Sequence, residues 1–138
     1  MAKIKDVYIE LYKRRLLIFI GSHDELLEYT NCLKKDEDYY NIAFDIINNS
    51  GQAEATYYYS SENGCGLIEL HYHPTTPKEI SVAAHECLHA TMRIMSYVGI
   101  PCFIDESNEA YAYLHEYLVE QILDYNNYKI INTKEYDA

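Results

Sequence analysis

A chain of 138 residues, 49% of them apolar, is long enough for one core that needs no disulfides, and a net charge of −11 argues against a nucleic-acid backbone as partner. The longest apolar run, residues 16–20, is far too short to span a membrane. Cys32, Cys65, Cys87 and Cys102 show neither CxxC spacing nor a paired pattern, and the missing leader-type segment adds to the expectation of reduced thiols in cytoplasm.

In chain order, residues 6–12 alternate apolar and polar side chains and 16–21 form a short apolar run. These predict two strands joined by a basic turn at Lys13-Arg14-Arg15. Ser22 with Glu25 three residues on is a capping-box signature, so a helix is expected from His23 to Lys34. A second helix is expected over 36–51, ended by Gly51. Two β-prone runs, 54–61 and 66–73, flank Glu62-Asn63-Gly64-Cys65, a hairpin signal. Thr76, Pro77 and Glu79 then supply a cap, a first-turn proline and a capping glutamate for a helix over 77–98. Gly99 and Pro101 end it, and a last long helix runs from Asp105 or Ser107 to Asn126. The order β-β-α-α-β-β-α-α predicts one α+β domain over residues 1–138, a small, mostly antiparallel sheet packed against helices.

The chemistry concentrates at His85-Glu86-Cys87-Leu88-His89, in the middle of the third helix. Residues four apart on a helix project together, so both imidazoles can reach one Zn²⁺. Glu86 stands on the adjoining surface, where a carboxylate can act on a water without ligating strongly. Ile80, Ala83, Cys87, Ile94 and Val98 occupy the opposite, core-facing side. Downstream, Asn108-Glu109 begins a second carboxylate-rich helix, and the Gly99-Ile100-Pro101 break allows that helix to fold back.

His85-Glu86-x-x-His89 followed downstream by Asn108-Glu109, with Glu109 20 residues after His89, resembles the gluzincin branch of zinc metalloproteases. The compact length and the Glu109-Ala110-Tyr111-Ala112-Tyr113-Leu114 segment look closer to minimal zincins: ImmA/IrrE-like and SprT-like proteins and small phage-encoded zincins. The resemblance covers residues 80–120 only. It implies a zincin-like fold, His85, His89 and Glu109 as zinc ligands, with Glu106 the alternative third ligand, and Glu86 as general base. Tyr113 departs from the pattern, standing where an Asp or Asn orients a zinc-binding histidine in many gluzincins.

Other side chains have weaker claims. His71 and His73 share a face of the expected strand, as solvent-facing residues or as flanks of the site. His115 reads as surface, and His23 has no functional expectation. Tyr111, Tyr113 and Tyr117 are candidates for hydrogen bonding a transition state. The expected activity is peptide-bond hydrolysis with Zn²⁺, on a peptide or protein added at a sheet edge. The rival expectation is a zincin-like binding or regulatory protein whose zinc, if any, is structural.

Overall fold

The computed structural model describes residues 1–33 and 39–131. Strands β1 (Ala2–Ile9), β2 (Arg14–Ile20), β3 (Ala55–Tyr59), β4 (Gly66–Leu70) and β5 (Lys129–Ile131) form one sheet in the order β3-β4-β2-β1-β5. The β2–β4 pair is parallel; the other three pairs are antiparallel. The α+β expectation holds, as a mixed sheet of mainly antiparallel pairs. Helices α1 (His23–Asn31), α2 (Ala43–Ile47), α3 (Pro77–Tyr97) and α4 (Asn108–Leu123) complete the described elements, with one 3₁₀ turn at Tyr40–Ile42.

Helices cover both faces of the sheet. Val7, Ile9, Leu16, Ile18, Ile20, Ile68 and Leu70 meet α3 and α4 on one side. Leu17, Phe19, Tyr58 and Leu67 meet Leu26 of α1 and Ile42 and Ile46 on the other. That double cover explains why residues 16–20 of β2, and β4 apart from Glu69, are apolar without alternation: the central strands have no face left for water.

The caps fall where the sequence puts them. Ser22 Oγ accepts from the Glu25 N–H at 3.1 Å while the Glu25 carboxylate accepts from the Ser22 N–H at 3.0 Å. The Thr76–Glu79 pair repeats this ahead of α3, at 3.2 and 3.0 Å. At the far end of α3, Gly99 has φ 82°, and the Ile100 N–H reaches the Met95 carbonyl at 2.9 Å, a Schellman closure.

Several boundaries differ from expectation. The long helix expected over 36–51 is the 3₁₀ turn followed by five-residue α2, and its first residues lie outside the described ones. Lys13, with φ 53°, ends the β1–β2 turn, so Arg14 and Arg15 belong to β2 rather than to the turn; Arg15 pairs with Asp6. β4 stops at Leu70, so His71 and His73 are not strand residues. The segment after α4 contributes β5, which pairs with β1 through Ala2↔Ile131 and Ile4↔Lys129. No helix among the described residues is long and apolar enough to cross a membrane.

Candidate metal and peptide site

α3 lies along the edge strand β3. Its buried stripe, Ala83, Cys87, Ala90, Thr91, Ile94 and Met95, fastens it to the sheet. His85 and His89 consequently stand on the exposed side, one turn apart. Their Nε2 atoms approach to 3.1 Å with the rings nearly perpendicular, at 77°. Two nitrogens on one tetrahedral zinc, each at about 2.0–2.1 Å, stand about 3.3–3.4 Å apart. The pair is therefore close to the spacing of two ligands of one ion. The same approach also suits a single N–H donated from one ring to the other.

Glu86 is half-buried between this pair and β3. Burial raises its carboxyl pKa above the ordinary value, opposed by the nearby His89 and His85 and by the backbone N–H of Tyr57. The contact from Tyr57 follows from strand phase. The Ser60 N–H donates to the Cys65 carbonyl at 2.8 Å, so the hydrogen-bonded positions of β3 are Thr56 and Tyr58. The N–H and C=O groups of Ala55, Tyr57 and Tyr59 consequently point outward from the sheet edge, toward the groove beside α3. Gly66 assists on the partner strand: a Cβ there would meet the Tyr57 ring at 2.8 Å, so only glycine lets that ring lie across β4.

The groove between β3 and α3 has a volume of about 700 Å³, and its wall includes Thr56, Tyr57, Tyr59, Glu86, His89 and Arg93. Burial holds the Tyr57 phenol well above its ordinary pKa against the pull of Arg93. A second groove, between the β1–β2 turn and α4, is walled by Tyr8, Leu11, Tyr113 and Tyr117. It has aromatic surface but, Glu10 apart, no group suited to acid–base work.

Among the described residues no three His, Cys, Asp or Glu side chains form a metal-holding group. Glu109 is the second residue of α4 and exposed, and Glu106 lies in the preceding loop. The residue of α4 that meets α3 beside the pair is His115, about two turns after Glu109.

His115, expected at the surface, is half-buried, and its Nε2–H donates to the Ala84 carbonyl at 2.9 Å, one residue before His85. Tyr111 is spent on the Ile100 carbonyl, while Tyr113 and Tyr117 are exposed on the side of α4 that faces the β1–β2 turn. Cys87 is fully buried, and burial pushes its thiol up to about 12.

His23, His71 and His73 lie together elsewhere. The buried Glu69 carboxylate accepts from the Tyr58 hydroxyl at 2.8 Å, meets His23 Nδ1 at 2.8 Å, and has His71 Nε2 at 3.5 Å. His23 Nε2 contacts the Asn49 carbonyl at 3.1 Å. His73 stacks on Tyr125, with ring centroids 3.8 Å apart. The sequence contained one signal for this network, a glutamate inside the apolar run of β4, but nothing that named its partners.

No protein-family profile, curated protein or solved structure matches this chain.

Proposed function

We propose that the chain is a zincin-like, zinc-dependent peptidase. The approach of the two Nε2 atoms to 3.1 Å, with Glu86 beside them at the foot of a groove, carries this reading. His85 and His89 would hold the zinc. Bound there, it would supply Lewis acidity toward the scissile carbonyl and a nucleophile at neutral pH. Glu86 takes the proton released by the attacking water and returns it to the leaving amine. The outward Tyr57 carbonyl and the outward N–H and C=O groups of Tyr59 hold an extended peptide as an added strand, which aligns its scissile bond over the pair.

The third ligand comes from α4. Glu109 is the assignment that the resemblance implies. His115, whose Nε2–H donates to the Ala84 carbonyl next to His85, is its rival, with its neighbour Glu116.

The test is metal content of protein purified without added metal or affinity-tag nickel, in wild type and in H85A, H89A, E109A, H115A and E116A. About one zinc per chain in wild type, lost in both α3 variants and in one α4 variant, establishes the site and names its third ligand. E86Q should keep the zinc and lose peptide hydrolysis by roughly a hundredfold or more. Turnover surviving in E86Q refutes the mechanism.

A second reading, a zincin-like binding or regulatory protein with structural or no zinc, is favoured by the fit of the same 3.1 Å approach to a single N–H donated from one ring to the other. Zinc absent from wild type after reconstitution, or present with no hydrolysis of any unfolded protein, selects it.

A further inference from the structure

Arg93 is the one Lys or Arg among the described residues that wall the β3–α3 groove, in a chain of net charge −11. It follows His89 by one turn, so Glu86, His89 and Arg93 form a single stripe along the groove. Its guanidinium carbon lies 3.9 Å from the centroid of the Tyr59 ring, and that ring stacks on Tyr57 with 6.3 Å between centroids. Among the described residues no carboxylate lies within ion-pair distance of it. The guanidinium is thus held by an aromatic face, exposed, with its hydrogen-bonding fork uncommitted to an internal acid. Such a fork matches a carboxylate in bidentate geometry.

Spacing relates this group to the reacting bond. Four helix residues from His89 to Arg93 rise about 6 Å, and an extended chain covers about 3.3 Å per residue. A guest strand lying over the histidine pair therefore places its second residue along at Arg93. We infer that the groove selects extended peptides carrying a carboxylate about two residues from the bond to be cleaved, and that Arg93 is the specificity-determining residue that binds it. This rests on the peptidase reading for the word cleaved, but not for the binding. The carboxylate has two sources, an acidic side chain within the peptide or the carboxylate of its C-terminus.

The experiment separates both pairs of alternatives. Fluorescence anisotropy on E86Q would compare peptides blocked at both ends that differ only by Glu or Gln. A neutral peptide with a free or an amidated C-terminus would be measured beside them. Each would be repeated on E86Q carrying R93Q or R93K, with thermal melts checking the fold. The expected result is roughly tenfold tighter binding of one carboxylate-bearing partner, weakened by salt, lost in R93Q and kept in large part in R93K. Which pair shows the preference identifies the source. Equal binding within both pairs, a preference that survives R93Q, or no binding of any peptide overturns the inference. Selective binding by E86Q together with zinc-loaded wild type that cleaves none of these peptides overturns the peptidase reading and leaves the role of Arg93 standing.

Discussion

Lys5 shows how much a single side chain on the wrong-looking face can do. It alternates in register with Val7 and Ile9 on the side of β1 that meets α4, and it is almost fully buried. Its ammonium donates to the Gln121 carbonyl at 2.6 Å and the Asp124 carbonyl at 2.7 Å, closing the C-terminal end of α4, and it lies 4.4 Å from the Tyr128 ring. Lys5→Met should leave those carbonyls unpaired and cost about 2 kcal/mol, read from urea denaturation. Glu69 matters more, because its removal strands the Tyr58 hydroxyl and His23 inside the protein. Glu69→Ala should cost about 3–5 kcal/mol in the same measurement. His73 supplies a pH dependence. Burial first, then Lys3 and Lys5, lowers its pKa from 6.5 in the folded protein, against the upward pull of the Leu123 backbone. The unfolded chain therefore binds more protons below that value, and this contribution to stability is lost as pH falls from about 6.5 through the folded pKa. His73→Gln should flatten the fall in unfolding midpoint between neutral and mildly acidic buffer.

Among the elements, α3 was the most legible. Thr76, Pro77 and Glu79 mark its start and Gly99 its end, because caps are local chemistry that a few neighbouring residues complete. Gly99→Ala should cost about 1 kcal/mol through backbone strain alone, since an added Cβ meets nothing within 4 Å. The last helix was less legible at its start. Ser107 accepts from the Phe103 N–H at 2.8 Å and donates to the Pro101 carbonyl, so it closes the loop after α3 instead of capping α4. β3 makes a prediction about solvent. Amide hydrogens of Thr56 and Tyr58 should exchange slowly and those of Ala55 and Tyr59 fast, with the fast set becoming protected when a peptide occupies the groove. Uniform protection along β3 would contradict the strand phase drawn from Ser60 and Cys65.

At the scale of the whole molecule, the parallel β2–β4 pair decides the layout. β2 leads into α1 on one face of the sheet and β4 into α3 on the other, so each central strand is buried on both sides. Order β3-β4-β2-β1-β5 leaves β3 at one edge, beside α3, and places the candidate groove there. By itself the sequence determined what depends on near neighbours: the helix that carries His85, Glu86 and His89, the convergence of two residues four apart, both capping boxes and the α+β class. Only the tertiary structure decided which distant residues share a place. It put His23 and Tyr58 on Glu69, His115 on α3 and Arg93 on Tyr59. Sequence spacing counts residues along the chain, whereas a site between two antiparallel helices depends on how far the first continues before the second returns.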